Sequence, residues 1–228
     1  MFFLLLLTNT SLLHSQHFNR GDTLRGFLSE YRSCYDVKFY DLKVTIDDLE
    51  KSIEQSSNTI HFLALNDFST FQIDLASNMQ IIYIDFEGDS LEYVRDFNAV
   101  FVKFNRQIHK NENCKITIHY WGYPKEAINP PWDGGFSWKK DKHNNPWIGV
   151  SCQGIGASLW WPCKDHQSDK PDSMLITITA RDPLKILSNG NLIEEKIIWS
   201  SYFNSWMNTS TWFVSYPINN YNVTLNIG

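Results

Sequence analysis

The chain has 228 residues, 43% of them apolar, with 9 Trp, 10 Tyr and 15 Phe. That is enough to build a real core and too aromatic for a disordered chain. A net charge of −5, with lysines and arginines scattered, excludes the basic stripe of a nucleic-acid binder and leaves a chain with no nucleic-acid partner.

Residues 1–16 read as an export signal: an apolar run at Phe2–Leu7, then a plausible cut near Ser15–His17. No Lys or Arg precedes the run, a departure from the usual form. It is too short to span a bilayer, which needs about 20 apolar residues, and no later segment reaches that length. An exported location, periplasmic or extracellular, follows, with the folded unit expected over 17–228. The alternative is a buried N-terminal strand.

Beyond the leader the pattern is period two almost throughout. A weak helical signal at Asp22–Glu30 comes first. Leu42, Val44 and Ile46 alternate with polar residues, as do Val37 and Phe39 in the opposite parity, which predicts a bulge near Tyr40–Asp41. Ile60, Phe62 and Ala64 face one way and His61, Leu63 and Leu65 the other, the signature of a strand buried on both sides. Phe71–Leu75 and Ile81–Tyr83 continue the alternation. Ala99–Phe104 and Ile116–Tyr120 flank a polar Lys110–Asn113, a hairpin signal. Met174–Ile178, Ile186–Leu187, Lys196–Trp199, Thr211–Tyr216 and Tyr221–Ile227 complete about twelve short strands, hence an all-β, mainly antiparallel sandwich.

Trp121–Val150 breaks this rhythm. Its Pro, Gly, Trp and Asn content predicts a long irregular loop, in which Trp132, Trp138 and Trp147 are read as a packed cluster and Gly134–Gly135 as a site of positive φ or close backbone approach. The segment Gly154–Met174, GIGASLWWPCKDHQSDKPDSM, is the densest in unusual residues. In a strand Trp160 and Trp161 would face opposite sides, one toward the sandwich and one toward a neighbouring domain. Pro162 would end strand pairing, and Asp165 and Asp169 would cap the turns that follow. Asp165, Asp169 and Asp172 lack the surroundings of a catalytic carboxylate pair.

Cys34, Cys114, Cys152 and Cys163 allow three pairings of all four in an exported chain, but are read here as separate thiols. Their spacing fits no zinc knuckle, and His166 with Asp169 beside Cys163 is a common polar-loop pattern rather than a metal site. No His-Glu-x-x-His occurs.

The stretches PPWDGGFSW, NPWIGVSCQGIGASLWWPCKDHQSDKPDSM, SNGNL and YPINNYNVTLNIG resemble the N-terminal domain of the gluzincin zinc aminopeptidases, the family of aminopeptidase N and the leukotriene-hydrolase group. The likeness is nearest to secreted, Bacteroidota-type bacterial members. It runs from DTLRGFLSEYRSCYDVKFYDLKVTID to the end, with one departure at Gln55–Ser56, where the family usually has glycine. It implies a saddle-shaped β-sandwich that covers a catalytic domain of the same enzyme. That domain, expected after Gly228, would hold the zinc and its general base, so no catalytic or metal-binding residue is assigned in this chain and it is expected to be inactive alone. Gln153 matches the family's Gln/Glu that points at the α-ammonium of the peptide substrate; a side-chain carbonyl can accept from that ammonium. Trp132, Gly134, Gly135, Trp160, Trp161, Pro162, Asp165 and Asp169 are left as domain-interface or structural loop residues. A function of another class stays open: a secreted, tryptophan-rich carbohydrate- or protein-binding module.

Overall fold

The computed structural model describes residues 18–228; the proposed leader at 1–16 lies outside them. A short hook of two helices, α1 (Arg20–Gly26) and α2 (Glu30–Ser33), opens the described chain. Asn19 caps α1 by accepting from the Asp22 N–H (3.1 Å), while the Asp22 carboxylate accepts from the Asn19 N–H (2.9 Å), a reciprocal cap that lets so short a helix form.

Fifteen strands follow: β1 (Tyr35–Asp47), β2 (Ser52–Ala64), β3 (Phe68–Asp74), β4 (Met79–Phe86), β5 (Asp89–Ser90), β6 (Glu92–Asp96), β7 (Ala99–Ile108), β8 (Asn113–Gly122), β9 (Gly135–Lys140), β10 (Pro146–Ser151), β11 (Ser173–Arg181), β12 (Ile186–Ser188), β13 (Asn191–Ser200), β14 (Ser205–Val214) and β15 (Leu225–Ile227). Eight of them form one large sheet in the order β13-β14-β11-β1-β2-β8-β4-β5, and two small sheets, β12-β15-β10-β9 and β3-β7-β6, complete the fold. One continuous apolar core joins all three. The large sheet contributes Tyr40, Leu42, Ile60, Phe62, Ile116, Ile118, Ile176 and Ile178; the small ones contribute Phe71, Ile73, Val100, Val102, Ile148 and Leu225. This is the two-layer arrangement that alternating strands require if each is to bury one face. On the other face of the large sheet, threonine hydroxyls pair across strands (Thr59–Thr117, 2.9 Å; Thr179–Thr209, 2.9 Å).

The all-β expectation holds, with corrections of detail. The large sheet is mixed, because β1 runs parallel to β11. The register shifts in β1 fall between Val37 and Phe39 and between Lys43 and Thr45, not at Tyr40–Asp41: Val37 and Tyr40 both point inward, and Phe39 lies on the outer face against His61. The second face of β2 is only half-buried, with Leu65 exposed. In β4, Met79, Ile84 and Phe86 are buried and Tyr83 is exposed. The expected hairpin at Lys110–Asn113 is a crossover instead, since β7 pairs with β3 and β6 while β8 pairs with β2 and β4. The Trp121–Val150 loop contains an antiparallel hairpin of its own, β9–β10. Its tryptophans do not form a cluster: Trp138 stacks on Phe136 (5.2 Å), whereas Trp132 and Trp147 are exposed.

At Gln55 the backbone takes a positive φ of 43° inside a register shift between Ile53 and Ser56. A left-handed bulge position is where glycine is least strained, which gives the Gln55–Ser56 departure a conformational meaning.

Candidate functional site

The segment after β10 is built as a turn, a cap and a plug. The Cys152 carbonyl accepts from the Ile155 N–H (3.2 Å) and the Gly156 N–H (2.9 Å), which puts Gln153 and Gly154 at an exposed tip. Gly154 and Gly156 sit at φ +73° and +83°, where a side chain is strained. At Gly156 a Cβ would also strike the Asp165 carboxylate. That carboxylate accepts from the Ser158 N–H (3.0 Å) and hydroxyl (2.7 Å), so Asp165 caps the 3-10 turn Ala157–Leu159 that precedes it, not a turn that follows.

Trp160 and Trp161 come next, both 0% exposed. The expectation that they straddle a sheet fails because this stretch is not a strand: Trp160 closes the 3-10 turn at φ −139°, ψ −12°. Both rings enter the core, Trp161 edge-on to Tyr40 (5.0 Å) and Trp160 edge-on to Phe136 (6.2 Å). Pro162 ends no strand; its carbonyl accepts from Asn58 Nδ2 (2.8 Å). Cys163 exchanges two backbone hydrogen bonds with Asp74 (2.8 and 3.1 Å), stitching the plug to β3.

Two buried ion pairs seal it. Lys164 Nζ donates to Asp169 Oδ2 (2.6 Å) and to the Tyr35 carbonyl (2.6 Å), 4.5 Å from the centre of the Tyr35 ring. Asp169 Oδ2 also accepts from the Val37 N–H (3.0 Å), so Asp169 ties the loop to β1 rather than capping a turn. Arg32, fully buried, donates to Asp74 Oδ1 (2.7 Å) and to the carbonyls of Arg25 (2.8 Å) and Phe27 (3.0 Å). Asp74 Oδ2 accepts from the Asp165 N–H (3.1 Å). Burial pushes the Asp74 carboxyl up to about 6, against the downward pull of Arg32 and Gln72. Removing either member of such a pair leaves an uncompensated buried charge. Sequence reading missed Arg32, Asp74, Lys164, Asn58 and Asn220, whose amide donates to the Lys164 carbonyl (2.7 Å). The one available signal was polar Gln72 and Asp74 alternating with Phe71, Ile73 and Leu75 in the sequence.

The exposed turn stands at the rim of a cavity of about 610 Å³, whose walls include Arg25, Gln153, Gly156, His166, Asn219 and Tyr221. His166 closes one side, its Nδ1 bonded to Ser168 Oγ (2.8 Å) and its Nε2 3.3 Å from the Gly26 carbonyl. A second loop leans on the turn. Asp133 accepts from the N–H groups of Ile128 (2.6 Å) and Asn129 (2.7 Å). Beyond it, a Cβ on Gly134 would lie 2.6 Å from the Gln153 carbonyl, and one on Gly135 2.5 Å from the Ala127 nitrogen. Trp132 projects from this loop, 83% exposed. The fold therefore gathers Gln153, Gly134 and Gly135 in one place and sends Trp160, Trp161, Pro162 and Asp169 inward.

None of this suits a metal. His166 and Asp169 are engaged elsewhere, Cys163 is fully buried, and no group of three or more His, Cys, Asp or Glu among the described residues is arranged to hold an ion. The four cysteines are free thiols; burial pushes Cys34, Cys114 and Cys152 up to about 12, and Cys163 well above its ordinary value.

No family model matches this sequence, and no curated protein does. Solved structures do match. A variant of an M1 zinc metallopeptidase from Deinococcus radiodurans superposes with a TM-score of 0.72 at 20% identity, over 90% of this chain and 44% of that one. A two-domain M1 zinc metallopeptidase variant bound to L-tryptophan gives 0.70 at 20%, over 85% and 42%. Leukotriene A4 hydrolase from Saccharomyces cerevisiae gives 0.64 at 18%, over 89% and 30%. The chain thus spans less than half the length of these enzymes. Its fold is that of their N-terminal β-sandwich part, in agreement with the resemblance read from the sequence.

Proposed function

We propose that this chain is the N-terminal, non-catalytic β-sandwich of an exported zinc aminopeptidase, that it covers a catalytic domain of the same enzyme, and that Gln153 helps receive the α-ammonium of the peptide substrate. The observation that carries the reading is the likeness of fold to zinc peptidases over most of this chain. The placement of Gln153 supports it: an exposed residue lining a cavity, on a turn closed by the Cys152 carbonyl and shaped by positive φ at Gly154 and Gly156. Zinc and the general base belong, in this reading, to the catalytic domain. Export rests on the leader; among the described residues no helix is long and apolar enough to cross a membrane.

The test is made in the whole enzyme. Gln153→Ala is expected to lower kcat/KM about ten- to a hundred-fold, the worth of a hydrogen bond to a charged group, with Tm unchanged, and Gln153→Glu to be better tolerated. A lowered Tm with unchanged kcat/KM per folded molecule would remove Gln153 from the site. The 228-residue chain alone is expected not to hydrolyse aminoacyl-nitroanilides. Exposed Trp132 and Trp147 favour a second reading, a glycan-binding surface, which retention on a polysaccharide column would support.

A further inference from the structure

β13 differs from every other long strand of the large sheet: all residues from Asn191 to Trp199 are exposed. It is an edge strand that pairs only with β14 among the described residues, while the opposite edge of the same sheet, β5, is two residues long. β13 has ten residues, no proline, and one register shift near its start, between Leu192 and Glu194. Leu192, Ile193, Ile197, Ile198 and Trp199 are all exposed. Edges of this length and apolarity are ordinarily covered or blunted, because their free N–H and C=O groups template a further strand.

We propose that β13 is covered by β13 of a second copy of this chain, the two strands pairing antiparallel about a two-fold axis through Glu195. Such an axis keeps every residue on its own face of the sheet, so opposed residues differ by an even number of positions. Centred on Glu195, the register sets Glu194 against the partner's Lys196, and Lys196 against the partner's Glu194. Glu194 and Lys196 already meet at 3.2 Å within one chain, so the dimer closes a square of alternating charge. Glu195 meets its own copy on the axis, and its carboxylate is engaged by Lys185 Nζ (3.4 Å) and Asn208 Nδ2 (3.3 Å), which tempers that repulsion. Registers centred one residue to either side oppose Lys196 to itself or Glu194 to itself and form no charge pair.

The test is sedimentation or light scattering of the full 228-residue chain across a dilution series, with circular dichroism to confirm folding of each variant. A dimer that dissociates on dilution is expected. Lys196→Glu and Glu194→Lys should each raise its dissociation constant about tenfold or more, since two attractive cross-strand pairs become repulsive. The double exchange, Glu194→Lys with Lys196→Glu, should restore it. Glu195→Gln should tighten the dimer. A monomer at every concentration, or a dimer indifferent to both single exchanges, would overturn the proposal.

Discussion

Two tryptophan pairs in this molecule have nearly the same geometry and opposite surroundings. Trp160 and Trp161 meet edge to face at 6.2 Å and 68°, and Trp199 and Trp206 at 5.6 Å and 74°. The first pair is wholly buried, whereas Trp199 and Trp206 are 50% and 54% exposed. The contact between the rings does not make this difference; the backbone that carries them does. The Trp160–Trp161 loop enters between the layers with its own polar partners. Lys164, Asp165 and Asp169 occupy the hydrogen-bonding groups of β1, β3 and the 3-10 turn that the loop would otherwise leave buried and unpaired. Buried loops are rare because they carry such groups, and here each end of the plug is tied to a strand. The β13–β14 hairpin needs no such partners, since ladder bonds join the two strands while the outer edge of β13 and the side chains of both tryptophans reach solvent.

The sharpest way to break this contrast is to truncate one ring from each pair. Trp161→Ala is expected to cost about 3–5 kcal/mol of folding stability, the loss typical of a buried aromatic. Trp199→Ala should stay within about 1 kcal/mol. Urea unfolding of both variants reads the difference as a shift in midpoint at constant slope; equal shifts would mean that the plug is not part of the cooperative core.

A smaller effect separates the ion pairs. Asp169→Asn keeps an oxygen for Lys164 and the Val37 N–H but removes the charge, and should cost about 1–3 kcal/mol. Lys51→Gln, in the exposed pair with Glu126 (2.9 Å), should change stability by less than about 1 kcal/mol. Both are measured by the same unfolding midpoint, and added salt should affect neither fold. If the two variants matched, the buried pair would be no more than a surface pair in energetic terms.

The smallest change lies where the hairpin tip touches the rest of the sheet. Tyr202 OH donates to Glu54 Oε2 (3.3 Å), next to the left-handed Gln55. Gln55→Gly should relieve the strain of that backbone and stabilise the fold by less than about 1 kcal/mol, seen as a small rise in Tm, since glycine also gains freedom in the unfolded chain. A lower Tm would show that the Gln55 side chain contributes more than its backbone costs.

Much of the fold could be read from residues alone, because alternation with period two is a local property of a half-buried strand. Leu42–Ile46, Ile60–Ala64 and Met174–Ile178 all lie in strands, with the expected residues inward. Gly134 and Gly135 were legible in part as well, since close approach and positive φ select glycine. What no local pattern carries is the identity of the neighbour. The parallel pairing of β1 with β11 joins segments more than a hundred residues apart, and the crossover from β7 to β8 copies the sequence signature of a hairpin. The same limit governed the site. Gln153 was proposed from the family resemblance alone. The loop that follows it is held by Arg32, Asp74 and Lys164, which look like ordinary polar residues until the layers close over them. Only tertiary structure decided that Trp160 and Trp161 share one core while Trp199 and Trp206 stay outside, because burial depends on what the rest of the chain places above a residue, not on the residue itself.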